Sequence, residues 1–408
     1  MISYRADWVL PIIDDPIPGG VVGVADDRIV HVGSEANGDL VDLGHAVILP
    51  SLVNAHTHLE LSYLQGHIAR GEDFVQWVSG VIGARREYPD PADTRILDAA
   101  RKAIADVKKS GTGLVGEVSN TLVTVPLLRE AGLPAQVFYE LLGFNAPDPE
   151  DRVRQARARV RQLEPNRDVR VALAPHAPYS VSPQLFTAIR ADLDAHGPAV
   201  SSIHLGESPQ ELELLRRGTG ALRTLLENMG AWSEEWSAPG TSPVTYLSDR
   251  GFLDRSVLAV HGVQFEGEDL ATLATLGMTI VSCPRSNQYV GVGAPPIEAF
   301  YAMDVDVAFG TDSLASTPDL NMFAELAEAR RVAPRIPARR LVESATRIGA
   351  RALGFDDALG TIEAGKRASL IAVRLPRDVA DVEEYLVSGV TPDAIRWLNT
   401  DDRNTGAH

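Results

Sequence analysis

The pattern of apolar and polar positions changes character along the chain. Before about residue 46 the apolar residues come in short bursts, Trp8-Val9-Leu10, Gly20-Val21-Val22-Gly23-Val24 and Arg28-Ile29-Val30-His31-Val32, separated by Gly and Asp-Asp pairs. Such bursts predict short strands joined by turns. From Ala46 onward, apolar runs at 46–54, 113–118, 135–142, 169–174, 199–205, 257–262, 278–282 and 305–310 predict buried strands. Between them, stretches 92–109, 149–163, 183–196, 209–228, 266–275 and 319–331 carry apolar residues at helical spacing. Eight strands alternating with helices over roughly 270–300 residues predict an α/β fold, a (β/α)8 TIM barrel of about 250 residues or more. A doubly wound sheet is the rival, because periodicity alone does not report closure. The long link between strands five and six holds Trp232, Trp236 and the Pro/Gly-rich run Ala238–Pro243, and is expected to be an insertion over the active-site face. After Gly360 strand-and-turn patterning returns, as in Ser369-Leu370-Ile371-Ala372-Val373, and the polar tail Asp401–His408 is expected to fray.

Composition adds exclusions rather than chemistry. A chain of 408 residues with 45% hydrophobic and 23% charged residues has the make-up of a soluble enzyme. Its net charge of −17 leaves no basic surplus to neutralise phosphates, so nucleic acid is not an expected partner. The single cysteine, Cys283, permits neither an intramolecular disulfide nor a cysteine metal cluster. No apolar stretch is long enough to cross a bilayer, and the first residues, MISYRADWVLPIIDDP, lack the features of a secretory leader. A cytoplasmic protein without a membrane partner is therefore expected. The oligomeric state stays open, with the homodimer the commonest arrangement.

The chemistry begins at His56-Thr57-His58, which closes the run Ala46–Val53. Residues two apart on a strand point to one face, so both imidazoles can converge on one point. Neutral imidazole suits zinc or ferrous iron. Taken alone, His-x-His fits a packing role as well. However, His204 ends the fifth predicted strand, His261 the sixth, and Asp312 follows the eighth. These positions belong at the carboxyl ends of barrel strands, where active sites sit, and together they favour a metal centre. Glu207, three residues after His204, would reach the same pocket and could carry protons there, although a first-turn glutamate of the helix at 209–228 is the plainer alternative. Weaker candidates for substrate contact are His176, Glu60 and Arg285, with Glu117 and Glu140 also at strand ends. Each of these could equally stabilise a loop.

The motifs Pro50–His58, Pro175–Tyr179, His204–Ser208, His261-Gly262, Cys283–Asn287, Gly310–Ser313 and Gly360–Lys366 resemble those of the amidohydrolase superfamily, in its cytosine, adenosine and S-adenosylhomocysteine deaminase group. The resemblance implies a small β-sandwich domain built from both chain ends, residues 1–46 and 356–408, around a barrel at 47–355. Ser369 departs from the pattern, where the family more often has Asp. Carried over residue by residue, the family scheme makes His56, His58, His204 and Asp312 the ligands of one divalent metal, zinc or else ferrous iron. Glu207 becomes the proton shuttle, and His261 with Asp312 handles the attacking water. Relatives with two metals take a bridging lysine or glutamate from strand four, and Val169–Ala174 offers neither.

Within that group the chain most resembles the aminodeoxyfutalosine deaminases of menaquinone biosynthesis, through His58–Ser62, Tyr139–Phe144, Cys283–Asn287 and Ser242–Leu247. Methylthioadenosine and S-adenosylhomocysteine deaminases often carry a ribose-binding glutamate shortly after the tryptophan that here is Trp77; downstream of it this chain instead has Arg85-Arg86, with Glu87 following. One of these arginines, or Arg285, is expected to pair with the benzoate carboxylate of aminodeoxyfutalosine, because guanidinium matches a planar carboxylate. The alternatives are deamination of adenosine, methylthioadenosine, S-adenosylhomocysteine or guanine, and hydrolysis of a triazine or imidazolone ring. A non-catalytic binding protein on the same scaffold is a further one.

Overall fold

The computed structural model describes residues 1–71, 73–197 and 199–398, and the tail Asp401–His408 lies outside the described residues. The fold is α/β. Eight strands carry the site: β1 (Leu52–Thr57), β2 (Thr112–Ser119), β3 (Ala135–Leu141), β4 (Val169–Pro175), β5 (Ser201–Leu205), β6 (Val257–His261), β7 (Thr279–Ser282) and β8 (Asp306–Phe309). They form two four-stranded sheets in the orders β4-β3-β2-β1 and β5-β6-β7-β8. Parallel pairing aligns Ala135 with Val169 and Val115, and Ser201 with Val257. Where β1 meets β8, Thr57 and Asp312 make a parallel bridge; where β4 meets β5, the His204 amide donates to the His176 carbonyl at 2.9 Å.

The chain divides into two compact units. The first holds residues 1–55, 106–114 and those described from 321 onward, and the second holds 56–105 and 115–320. In the first unit, Ile2–Arg5, Val21–Ala25, Arg28–Gly33 and Asp39–Asp42 form one sheet. Trp8–Val9, Ile17–Pro18, Ala46–Pro50, Leu370–Arg374 and Ile395–Leu398 form another, and Tyr4, Val22, Ile29, Ile48 and Leu370 from the two sheets meet in one buried cluster.

Three elements depart from the sequence pattern for identifiable reasons. The run 46–54 is not one strand. Ala46–Pro50 pairs antiparallel with Leu370–Arg374, and after Ser51 the chain enters β1. Ser51 marks the break: its amide donates to the Ser369 carbonyl at 2.8 Å and its hydroxyl meets that of Ser369 at 2.7 Å. Apolar periodicity does not register a change of partner. The stretch 209–228 is two helices, Pro209–Arg217 and Ala221–Asn228, separated by Gly218 and Gly220 with φ of 69° and 97°. Ser208 caps the first by accepting from the Glu211 amide, so Glu207 stands outside the helix. A helix at Phe74–Glu87, carrying Trp77 and Arg85, is absent from the pattern-based expectation; only Phe74 and Val75 are buried on it, which leaves little apolar stripe to find.

Gly310 follows β8 where the strand lies against β1. A Cβ there would fall 2.7 Å from the carbonyl oxygen and 2.8 Å from the backbone nitrogen of His56. Gly310→Ala is expected to lower unfolding free energy by about 1–3 kcal/mol, the usual cost of overpacking a rigid site. Chemical denaturation of the two proteins checks this.

Candidate metal centre and active site

Alternation along β1 brings His56 and His58 to one side, with ring centroids 4.9 Å apart. His204, on β5, packs 4.9 Å from His56 and stacks on His58 at 5.5 Å, and His261 stacks on His204 at 5.3 Å. Asp312 Oδ1 lies 3.4 Å from His58 Nε2 and 3.7 Å from His56 Nε2. The ligand-capable atoms fall into overlapping groups, each within 4.8 Å: His56-His204-His261, His56-His58-Asp312 and Glu140-His176-His204.

Neighbouring groups orient these side chains. His204 Nδ1 donates to the His176 carbonyl at 3.1 Å, which turns the Nε2 lone pair into the cluster. Asp312 Oδ2 accepts from Ser286 at 2.6 Å and Ser316 at 3.0 Å, leaving Oδ1 for the histidines. Both His261 and Asp312 adopt left-handed backbone, with φ of 75° and 59°, a cost that functional sites commonly carry. Glu211 accepts from the Gly206 amide at 3.2 Å and the Glu207 amide at 3.0 Å, fixing the loop that presents Glu207. Glu207 Oε1 stands 3.6 Å from His261 Nε2. Glu117, wholly buried after strand pairing, accepts from the amides of Leu59 at 2.7 Å and Glu60 at 3.3 Å, directly behind His58.

Burial dominates the electrostatics. Desolvation, followed by repulsion from His176 and Arg85, lowers His58 to about 3. Desolvation also lowers His176 to about 4 and, with His176 beside it, His204 to about 4; His56 and His261 lie well below their ordinary value. All five imidazoles are therefore neutral at pH 7, the form that ligates metals. Burial, then the Asp312 and Glu211 charges, raises Glu207 well above the usual carboxylate range, and burial raises Asp312 and Glu140.

A cavity of roughly 990 Å³, counting its open mouth, is lined by His58, His204, Glu207, His261 and Asp312 at its base. His176, Ser180, Asn120, Glu140 and Arg85 form a polar wall, and Phe74, Trp77, Val78, Leu222, Leu226 and Met229 an apolar one. Of the residues expected to touch substrate, the structure brings His176, Glu207 and Arg85 to this cavity. It does not bring Glu60, Arg86 or Arg285. Glu60 is spent on the loop after β2, accepting from Ser119, the amides of Asn120 and Thr121 and the Thr121 hydroxyl. Successive helical residues lie about 100° apart, so Arg85 faces the cavity while Arg86 is exposed. Arg285 is turned by the helix Pro284–Tyr289 to Asp319, 2.8 Å away. Asn120 and Glu211 escaped the sequence reading and Ser286 entered it only within the motif Cys283–Asn287, because a single polar residue in a loop or in the first turn of a short helix carries no periodic signal.

This arrangement agrees with what similarity shows. Residues 47–395 match the Amidohydrolase family, and the chain belongs to it. A 5-methylthioadenosine/S-adenosylhomocysteine deaminase of Moorella thermoacetica is 30% identical over 95% of this chain and 90% of its own. An aminodeoxyfutalosine deaminase of Deinococcus radiodurans is 32% identical over 83% of this chain and 82% of its own. A crystal structure of an adenosine deaminase from Xanthomonas campestris with bound zinc superposes with a TM-score of 0.83 at 25% identity, covering 97% of this chain and 90% of that one. The protein is a hydrolytic deaminase of the adenosine type, acting on C–N bonds. Among the described residues no helix is long and apolar enough to cross a membrane.

The buried Glu211 makes a pH-dependent contribution. Burial raises it from 4.5 to about 8. A carboxyl protonated in the native state and ionised in the unfolded one costs stability as pH rises from about 4.5 through about 8. Glu211→Gln lacks that loss, so its melting temperature relative to the parent is expected to improve steadily across that window and then level off. Parallel melts from pH 5 to 9 check the sign.

Proposed function

We propose that the chain deaminates a 6-aminopurine nucleoside carrying a large, acid-bearing group, with 6-amino-6-deoxyfutalosine of menaquinone biosynthesis as the leading substrate. The observation that carries this reading is Arg85, the one Lys or Arg side chain among the described residues lining the cavity, part of its polar wall. It donates to Asn120 Oδ1 at 2.7 Å and stands 3.5 Å from Glu60 Oε1, so its guanidinium is held in place before substrate arrives. An aromatic carboxylate needs such a pairing of cation and apolar surface. The similarity to the Deinococcus enzyme supports the reading. That to the Moorella enzyme favours a second one, deamination of methylthioadenosine or S-adenosylhomocysteine, in which the apolar wall takes the sulfur substituent.

The proposed architecture behind the site is a (β/α)8 barrel closed at the Thr57–Asp312 and His176–His204 seams, with the two small sheets as a β-sandwich and the protein in the cytoplasm. His56, His58, His204 and Asp312 would hold one divalent metal, zinc in this reading. The fit rests on His56: its ring is fully buried, and neither nitrogen has a hydrogen-bond partner. Such an imidazole is costly unless something occupies its lone pair. β4 (Val169–Pro175) supplies no lysine or glutamate for a second ion. When bound, the metal supplies Lewis acidity that brings the pKa of water to about 7.

The chain's own residues then handle the protons. Asp312 Oδ1, free of the serine hydroxyls, and His261 orient water against the ring carbon that bears the amino group. Asp312 accepts a water proton, while Glu207, kept protonated by burial, donates to the ring nitrogen beside that carbon. The new C–O bond forms, the exocyclic nitrogen takes the proton held by Asp312, and the C–N bond breaks to release ammonia, while the remaining hydroxyl proton returns to Glu207 as the ring carbonyl forms. Glu207→Gln is expected to lower kcat by about 100- to 10,000-fold with metal content unchanged. Ammonia release together with metal analysis of the same samples tests both halves; full activity in the variant removes Glu207 from the mechanism.

Arg85→Gln separates aminodeoxyfutalosine from methylthioadenosine; S-adenosylhomocysteine, which also bears a carboxylate, is assayed apart from both. Losing a charge-assisted hydrogen bond is expected to raise KM for aminodeoxyfutalosine by about 10- to 100-fold. Methylthioadenosine should change by no more than about twofold, because it carries no acid for Arg85 to pair with. Parent kinetics that prefer methylthioadenosine over aminodeoxyfutalosine would favour the second reading.

A further inference from the structure

One short helix touches two members of the site at once. Pro284–Tyr289 follows β7, which lies between β6 and β8, and its consecutive residues Ser286 and Asn287 are both fully buried. Ser286 reaches Asp312, and Asn287 Nδ2 lies 3.0 Å from Nδ1 of His261. A neutral imidazole has one N–H and one lone pair, so whatever engages one nitrogen decides where the proton resides. The amide nitrogen of asparagine only donates. Facing it, Nδ1 must be the acceptor, and the ring proton is left on Nε2. That nitrogen looks into the pocket, 3.6 Å from Glu207 Oε1. Asn287 Oδ1 is buried without a partner, so the contact with His261 is the hydrogen bond that orients this amide. A half-turn of the amide would set Oδ1 against Nδ1 and demand the opposite tautomer, with a lone pair at Nε2. The two arrangements give His261 different chemistry, either a donor or a base.

We propose that Asn287 is a positioning residue that holds His261 as the Nε2–H tautomer, making His261 a hydrogen-bond donor to the attacking oxygen rather than the group that takes its proton. The proton from water then goes to Asp312 Oδ1 alone. The role in catalysis rests on the deaminase reading above; the tautomer does not.

The test is a long-range proton–nitrogen correlation spectrum of 15N-histidine-labelled, zinc-loaded protein, with His261 assigned through the signal lost in His261→Gln. The expected spectrum shows His261 unprotonated at Nδ1 and protonated at Nε2. Asn287→Asp has nearly the same shape but offers only acceptors, so it should move the proton to Nδ1. It should also lower kcat by about 100-fold or more, with zinc content unchanged and KM within about threefold. Asn287→Ala, which imposes neither tautomer, should fall between. A wild-type spectrum with the proton on Nδ1 overturns the proposal, as does an Asn287→Asp enzyme with wild-type kcat. If that variant does not fold, the wild-type spectrum alone decides. Failure of the deaminase reading would appear separately, as a wild-type protein that releases no ammonia from any aminopurine nucleoside.

Discussion

A fully buried imidazole with no hydrogen bond at either nitrogen is a debt that the rest of this structure is arranged around. His56 sits in that state at the end of β1, surrounded by His58, His204, His261 and Asp312. Polar groups brought this close in a dry pocket repel protons and resist ionising, which is why the imidazoles are driven toward low pKa and the carboxyls toward high. A cation at their centre relieves both tendencies together, and His56 makes the strongest local case for one.

Holding such a cluster requires that each member be kept from turning away, and the restraints come from the loops of neighbouring strands. The His176 carbonyl after β4 aims His204; Ser286 after β7 and Ser316 after β8 hold one oxygen of Asp312; Glu211 holds the Glu207 loop; Glu117 on β2 holds the chain beyond His58. These supports are themselves buried and polar, so a lost partner leaves an unsatisfied group inside the protein. The two serines also brace Asp312, whose backbone is left-handed.

Further from the base, the cavity trades charge for shape. The helix Phe74–Glu87 contributes to both walls, with Trp77 and Val78 on the apolar side and Arg85 on the polar side. Arg85 is already engaged by Asn120 and Glu60. In the proposed reading it is a preset cation, whose orientation would cost a carboxylate-bearing substrate little.

Much of the site was legible along the chain because its logic is local. Two histidines two residues apart in extended chain must share a face, and His204, His261 and Asp312 each sit at the end of an apolar run, so strand geometry marks the candidates while the pairing of the strands brings them together. The three-dimensional arrangement decided whatever depends on which element lies next door. Ser51 ends one sheet and opens another only because Ser369 is beside it. Arg85 and not Arg86 meets the cavity because of the rotation of one helix, and Glu60 and Arg285 are consumed by Thr121 and Asp319 from distant positions. Asn287 can govern His261 only across two adjacent strands. Side-chain spacing is set by the local backbone period and is written in the sequence, whereas the partner of a polar group is set by packing between segments far apart in it.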